Sequence, residues 1–391
     1  MTKLQSGSTN EGRDVKIAVP KEYYAGETRV PMIPGDVKAL VEKGATVEIE
    51  SGMGDPVGYH DTDYTAAGAN VASDRNALIS SADIILRIRK SPLEEIKWLR
   101  KGALHISYFD PFAEKDLLNA FVSMGISAVS MEMIPRTTRA QSMDVLSSQA
   151  SLAGYVAVIL AAERLFKILP MMMTPSGTLA PAKVFVIGAG VAGLQAIATA
   201  RRLGARVEAF DTRPVVEEEV RSLGAKFIKI DLGETGQTAD GYAKPLTDQQ
   251  LDIQRQAMTE HCTAADIVIT TAQVFGKKAP RILTKEMVTA MKGGSVVVDL
   301  AVEGGGNVEG VVPGEETMVQ GVRIIGFENM PGRVPVHASQ MYSRNLLNFI
   351  LEYWDDEKKI MELNLDDEII QGCLVTHNHE IFSRTLKEID L

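Results

Sequence analysis

The residues best equipped for chemistry fall in two segments. The first, PRTTRAQSMDVLSSQ at positions 135–149, gathers Arg136, Thr137, Thr138, Arg139, Gln141, Asp144, Ser147 and Ser148 between apolar flanks. Cations, an amide, hydroxyls and a carboxylate in one loop can hold a carboxamide, a ribose and a phosphate. The same residue types also build a helix start, with Ser142 or Asp144 as the cap and the arginines solvated or ion-paired. The second segment is VFVIGAGVAGLQAIATARRLGARVEAFD, 184–211. Gly188 permits a tight strand-to-helix turn, Gly190 lets backbone approach a pyrophosphate, and Gly193 lets the helix pack close to the strand. A diphosphate would sit on the helix N-terminus, where unpaired N–H groups and the positive end of the dipole point outward. Asp211 follows at the spacing where a carboxylate accepts the ribose hydroxyls of an adenosine. It favours NAD over NADP because it repels a 2′-phosphate, and Arg213 nearby does not reverse that preference.

These groups need rigid elements to hold them, and the apolar pattern supplies those elements. Strands are expected at Lys16–Pro20, Asp83–Ile88, Leu104–Tyr108 and Ser127–Glu132, with a helix, turn and strand across Pro34–Glu50 and Gly44 at the helix stop. A second series is expected at Val184–Gly188, Arg206–Phe210, Lys226–Ile230, Ile267–Thr271, Ser295–Asp299 and Arg323–Gly326. Strands alternating with helical segments imply parallel, doubly wound sheets. The pattern is α/β: two doubly wound Rossmann-like domains, the nucleotide-binding one inserted in the other, linked by long helices at Ser147–Pro170 and Ser339–Trp354. The first domain is expected over 1–145 and 337–391, the inserted one over 146–336.

Composition bounds the partners. The 391 residues, 45% hydrophobic and 24% charged, suit two soluble domains of ordinary size. A net charge of −10 argues against nucleic acid, which demands a basic face. Cys262 and Cys373 form no metal-ligand spacing and read as reduced thiols. His377 and His379 would share one strand face with no third ligand near, so no metal site is expected. The polar N-terminus lacks a signal core, and the apolar stretch Leu152–Ala162 is too short to span a bilayer. The polar stretch Asp231–Asp248 reads as an exposed loop whose Gly241, Tyr242 and Lys244 either fold over a bound cofactor or are simply solvated. Thr270–Gln273 end a strand at the carboxyl edge of the sheet, where ligands bind in doubly wound folds. Met171–Met173 read as core or interface filler.

Several long blocks carry a family resemblance over nearly the whole chain: IAVPKEYYAGETRVPMIP, RAQSMDVLSSQASLAGY, PMMMTPSGTLAPAKVFVIGAGVAGLQAIATARRLGA, GYAK, ITTAQVFGKKAP and GGSVVVDLAVEGGGN. The chain resembles the NAD(H)-binding component, domain I or alpha-1 subunit, of the proton-translocating nicotinamide nucleotide transhydrogenases. Alanine dehydrogenase is the related alternative. It needs a histidine acid/base, because oxidising an amine moves a proton as well as a hydride. In GALHISYFD that histidine's position falls at or near Asp110, while His105 lies within the preceding strand. Arg29, which an amino-acid enzyme would use for a carboxylate, does not separate the two, whereas RAQSMD is a transhydrogenase signature. Hydride passing between two nicotinamide rings needs positioning and exclusion of water but no acid or base.

The resemblance implies that Arg136, Thr137, Thr138, Gln141, Asp144 and Ser147 hold NAD(H) near the nicotinamide end, with Gln141, Arg136 and Asp144 nearest the chemistry. It assigns Gly188, Gly190, Val191, Ala192 and Gly193 to the diphosphate, Asp211, Thr212 and Arg213 to the adenosine ribose, Gly241 and Tyr242 to a mobile loop, and Gln273 to the sheet edge. It further implies a homodimer exchanging hydride, Re/Si-specifically, with NADP(H) on a partner component. That enzyme would be docked on a membrane-spanning component at the cytoplasmic face, where proton coupling resides. A non-catalytic NAD-sensing protein that kept the fold is the alternative of another class.

Overall fold

In a computed structural model that describes residues 14–233, 246–274 and 276–388, the apolar runs become the central strands of two units. One unit comprises the chain through Gln149 and again from Val334 onward; the other is Ala150–Arg333. The first contains β1 (Lys16–Val19), β2 (Thr46–Glu50), β3 (Asn70–Ala72), β4 (Ile84–Leu86), β5 (Leu104–Ser107) and β6 (Ser127–Ser130). The second contains the hairpin β7 (Met172–Thr174) and β8 (Gly177–Leu179), then β9 (Lys183–Ile187), β10 (Arg206–Phe210), β11 (Lys226–Phe227), β12 (Ile267–Thr270), β13 (Val296–Asp299), β14 (Glu316–Val319) and β15 (Val322–Ile325). The returning chain adds the hairpin β16 (Trp354–Asp355) and β17 (Ile360–Met361), then β18 (Leu374–His377) and β19 (Glu380–Ile381) to the first unit.

Both main sheets wind outward from a central strand. In the first the order is β19-β18-β6-β5-β4-β1-β2-β3, with β1 to β6 parallel and β18 antiparallel to β6. In the second it is β11-β10-β9-β12-β13-β15-β14, parallel except for β14. Each order reverses beside its first strand, between β1 and β4 and between β9 and β12. The carboxyl ends of those pairs form the crevice in which doubly wound sheets bind ligands. The strand interiors are sealed: Val184–Ile187, Ile267–Thr270 and Val296–Asp299 are all buried, as two-sided parallel strands require.

The structure corrects several expectations. The helix expected over Ser147–Pro170 runs from Val145 to Arg164. Its start is fixed by Asp144, whose Oδ1 accepts the Ser147 N–H at 2.9 Å. Its end is fixed where Arg164 pairs with Glu316 and Lys167 with Asp266. At 20 residues this helix is long and apolar enough, by length and composition alone, to cross a membrane, unlike the shorter run read from sequence. Val145, Val156, Ala157, Val158 and Ala161 are buried in the protein, while Tyr155 and Ile159 on the same helix are exposed. Of the two readings of Met171–Met173, core or interface, the first is excluded: they are exposed, and the last two lie on the β7–β8 hairpin. His377 and His379 do not share a strand face, because His379 has φ +66° in the turn between β18 and β19.

The helix Pro335–Glu352 begins on Pro335, whose missing N–H costs nothing at a helix start. It braces the chain after β1: Ser339 Oγ accepts the Val30 N–H at 2.9 Å and Ser343 Oγ accepts that of Ile33 at 3.0 Å. In the second unit, a Cβ added to Gly154 would overlap the Ala192 carbonyl oxygen. Backbone there meets backbone, and no side chain can yield. Gly154→Ala is therefore expected to cost about 1–3 kcal/mol in urea denaturation. Gly35→Ala, at a helical position where an added Cβ meets nothing within 4 Å, is expected to leave the midpoint unchanged. A Gly154→Ala protein with the parent's midpoint would overturn the assignment of a tight backbone contact.

Candidate functional site

At the second unit's switch point β9 ends and Gly188 turns the chain at φ +98°. Thr271, immediately after β12, reaches across: its Oγ1 donates to the Gly188 carbonyl at 3.0 Å and would lie 2.5 Å from any Cβ on Gly188. Both the conformation and the close approach exclude a side chain. A Cβ on Gly193 would overlap the Gly188 carbonyl oxygen, so the helix Val191–Arg202 lies on the strand at backbone distance. Gly190 is different: a Cβ there meets nothing within 4 Å, and Gly190 caps the helix without any side-chain bond. The helix therefore opens with uncapped N–H groups, no acid in its first turn, and free approach over Gly190. That cradle fits a diphosphate.

Asp211 follows β10 beside this turn. Its Oδ2 accepts the Ala189 N–H at 2.7 Å, and its Oδ1 accepts the Arg213 backbone N–H at 2.8 Å. Thr212 lies between them. On the other flank, Asn307 fixes the chain leaving β12. Its Oδ1 accepts the Ala272 N–H at 3.0 Å, and its Nδ2 donates to the carbonyls of Ala272 and Pro280, each at 2.8 Å. Asn307 is in turn held by Asp299, whose Oδ2 accepts the Asn307 N–H at 2.7 Å. Gln273 is exposed, its Nε2 donating to the Leu300 carbonyl at 3.2 Å. Gly241, Tyr242 and Lys244 lie outside the described residues.

In the first unit the segment 135–149 divides into pinned and presented groups. Arg139 is structural: its guanidinium pairs with Asp367 and with Glu352. Ser148 Oγ donates to Asn345 Oδ1 at 2.7 Å, and Gln149 accepts from Arg29 Nη1 at 2.9 Å. Asp144 caps the long helix and also accepts from Ser147 Oγ at 2.6 Å, so this pair fills the cap role read from the residue types. Arg136, Thr138 and Gln141 are exposed, and Gln141 opens a short 3-10 turn ending at Met143. Thr137 Oγ1 is buried without a hydrogen-bond partner.

The loops after β1 and β4 bring the unit's own charges together, a cluster that sequence reading missed. Glu27, its side chain wholly withdrawn from solvent, accepts from Arg29 Nε and Nη2, each at 2.7 Å, and from Arg89 Nε at 2.8 Å. Only the ETR spacing of Glu27 and Arg29 signals the pair; Arg89 is 62 positions away. His105 is buried inside β5, its Nε2 bonded to Ser91 Oγ at 2.7 Å and its ring against Phe109 and Phe121. Burial, reinforced by Arg87, pushes its pKa well below the usual histidine value and keeps it neutral. Asp110 is exposed with φ +54°, and its N–H donates to Glu132 Oε1 at 2.6 Å.

Comparison with known proteins follows this division. The alanine dehydrogenase/PNT family matches in two segments, its N-terminal domain over residues 18–153 and its C-terminal domain over 157–384. The chain is 43% identical over 374 residues to an NAD(P) transhydrogenase alpha-subunit chain of Rhodospirillum rubrum, covering 94% of this chain and 97% of that one. It is 30% identical over 381 residues to an alanine dehydrogenase of Halomonas elongata, covering 96% of each. Among solved structures, a transhydrogenase from Sinorhizobium meliloti superposes with a TM-score of 0.84 at 44% identity, covering 94% of this chain and 99% of that one.

The Glu27 cluster sets a pH dependence. Burial works to raise its carboxyl pKa, but the Arg29 bonds and the Arg89 charge outweigh burial and hold it near about 2, against 4.5 ordinarily. A carboxyl depressed on folding stabilises the folded chain fully above the unfolded value, and that contribution fades as pH falls toward the folded one. Glu27→Gln is expected to lose about 3 kcal/mol at pH 7, with the deficit narrowing once the pH drops below about 4.5. Chemical denaturation of both proteins at pH 7 and pH 3 checks it. A deficit equal at both values would overturn the ionic account.

Proposed function

The chain belongs to the alanine dehydrogenase/PNT family, as a homologue of the NAD(P) transhydrogenase alpha subunits with alanine dehydrogenase a more distant relative, and on that premise we propose that it holds NAD(H) for direct hydride exchange with NADP(H) carried by a separate component. The observation that carries this reading concerns the position where an amino-acid dehydrogenase uses a histidine as its acid/base. In place of a histidine, Asp110 falls at or near that position, and His105 is neutral and sealed inside β5. Oxidising an amine requires a group that takes up a proton at the reacting centre. Moving a hydride between two nicotinamides does not.

The chemistry NAD(H) supplies when bound is a hydride donor or acceptor at its nicotinamide ring. The chain's own groups bind and orient. The uncapped N–H groups of Val191, Ala192 and Gly193, with the open approach over Gly190, take the diphosphate. Asp211, with Thr212, takes the adenosine ribose. Arg136, Thr137, Thr138, Gln141, Asp144 and Ser147 are assigned the nicotinamide end. Among them Gln141 and Arg136 are the exposed polar groups nearest that role, and Asp144 acts from its capping position. Gln273 lies at the sheet edge, and Gly241 and Tyr242 are assigned to a covering loop.

The same reading includes partner chains: an NADP(H)-binding component, and a membrane-spanning component that anchors the enzyme at the cytoplasmic face and couples hydride transfer to proton movement. It also includes a homodimer. Met172 is 45% exposed, Met173 76% and Leu179 52% on the β7–β8 hairpin, an apolar surface that a second copy would cover.

The purified chain mixed with an NADP(H)-binding component is expected to support cyclic reduction of an NAD analogue by NADH, and to form no NADH from alanine and NAD alone. Alanine-dependent NADH formation would sink the transhydrogenase reading, and inactivity in both assays would favour an NAD-sensing protein. Met173→Asp is expected to shift the chain from dimer toward monomer in sedimentation equilibrium. An unchanged dimer would remove the hairpin from the contact.

A further inference from the structure

The carboxylate of Asp211 is already saturated. Besides the two backbone donors, Ala189 N–H at 2.7 Å and Arg213 N–H at 2.8 Å, it accepts from Arg213 Nε and Nη2, each at 2.9 Å. An ionised carboxylate offers about four lone-pair sites, and all four are occupied. The two side chains shield one another: Asp211 is 6% exposed and Arg213 15%. The fold-back is locally imposed. The Arg213 N–H closes a turn onto the residue two places earlier, and Pro214 holds Arg213 in an extended conformation, φ −91° and ψ 113°.

We propose that Arg213 is a specificity-determining residue: its guanidinium occupies the ribose-accepting face of Asp211 as an internal competitor and is displaced when NAD(H) binds. This rests on the reading that the second unit holds NAD(H). A ribose diol presents two hydroxyl donors to such a carboxylate, so two of the four existing donors must leave. The Ala189 and Arg213 N–H groups are fixed by the turns they close. The guanidinium bonds move with side-chain torsions and are the pair released. The same clasp explains how an arginine can border the site without recruiting a 2′-phosphate. A guanidinium held by two bonds to a carboxylate is already matched, and the carboxylate itself repels the phosphate. Arg213 thus occupies the ribose-accepting face of Asp211 until the nucleotide takes its place.

The test is equilibrium binding of NADH and NADPH to the full chain, read by nucleotide fluorescence and calorimetry, with thermal unfolding to establish that each variant is folded. Arg213→Gln is expected to bind NADH about fivefold more tightly, the factor for releasing a partly buried ion pair worth about 1 kcal/mol. Arg213→Lys, which keeps the charge but not the fork, is expected to fall between it and the parent. Asp211→Asn frees the guanidinium and is expected to bring measurable NADPH binding, lost again in the Asp211→Asn, Arg213→Gln double variant. Unchanged or weaker NADH binding by Arg213→Gln, or NADPH binding that survives in the double variant, would overturn the proposal alone. Failure of the parent chain to bind NADH would instead overturn the functional reading beneath it.

Discussion

The second unit depends on a contact that only glycine allows. Gly193 rests on the Gly188 carbonyl with no room for a Cβ, and Gly154 does the same on the carbonyl of Ala192. The first turn of the helix Val191–Arg202 is therefore gripped from two sides by backbone. Side chains can repack when a neighbour shifts, whereas backbone surfaces in contact leave no such slack. The consequence is positional. The uncapped N–H groups of that turn are fixed relative to the ends of β9 and β12, and the Thr271 hydroxyl ties the turn to the second of these strands. A dipolar anion site is useful only if its donors do not have to reorganise to meet the anion.

The two units share a strand order but use their switch points in opposite ways. In the second, neutral N–H groups stand open beside the Asp211–Arg213 pair. In the first, Glu27, Arg29 and Arg89 close on each other, and Gln149 takes the remaining Arg29 donor. Buried ion pairs add little net stability over apolar packing, yet breaking one leaves a stranded charge. Such a cluster therefore specifies a conformation more than it stabilises one. Arg29, which by type could bind a substrate carboxylate, is committed to Glu27. The same fold thus leaves N–H donors uncapped in one unit and pairs charges with one another in the other.

What was legible in the sequence was what local sterics dictate. The glycine turn with its following acid could be read because each glycine answers a constraint within six residues of chain. Central strands such as Ile267–Thr270 were readable as apolar runs, since two-sided burial leaves no other signature. The edge strand Glu316–Val319 was missed: half-exposed, it carries no such run. The hairpin at Met172–Leu179 was missed for a related reason, since its apolar residues face outward, against the usual sense of burial. Partners far apart in sequence were invisible altogether. Nothing near Arg139 announces Asp367, 228 positions on, nor does Asp299 announce that it will hold the asparagine fixing the chain after β12. Polar segments are ambiguous because their residue types serve capping, pairing and binding alike. In 135–149 the fold uses Asp144 and Ser147 for the first, Arg139 for the second, and leaves Arg136 and Gln141 exposed.

The buried ionisable groups of the first unit bear on the chemistry in a further way. Glu22 and Glu132 have carboxyls pushed up by burial, which in many enzymes marks a proton donor. Here both are turned onto backbone. Glu22 accepts the Ile88 N–H at 2.6 Å, and Glu132 accepts those of Phe109 and Asp110 at 2.8 and 2.6 Å. They hold the loops after β4 and β5 in place. His105 is likewise turned inward, bonded to a serine and packed between phenylalanines. For these three groups, perturbed acidity accompanies the burial of side chains that support the loops and the strand. Glu22 and Glu132, two of the unit's described acids of raised pKa, are thus engaged as supports of the loops that follow β4 and β5. Under the proposed function, a hydride passing between two nicotinamides asks no proton of these groups, and coupling to proton movement is assigned to the partner components.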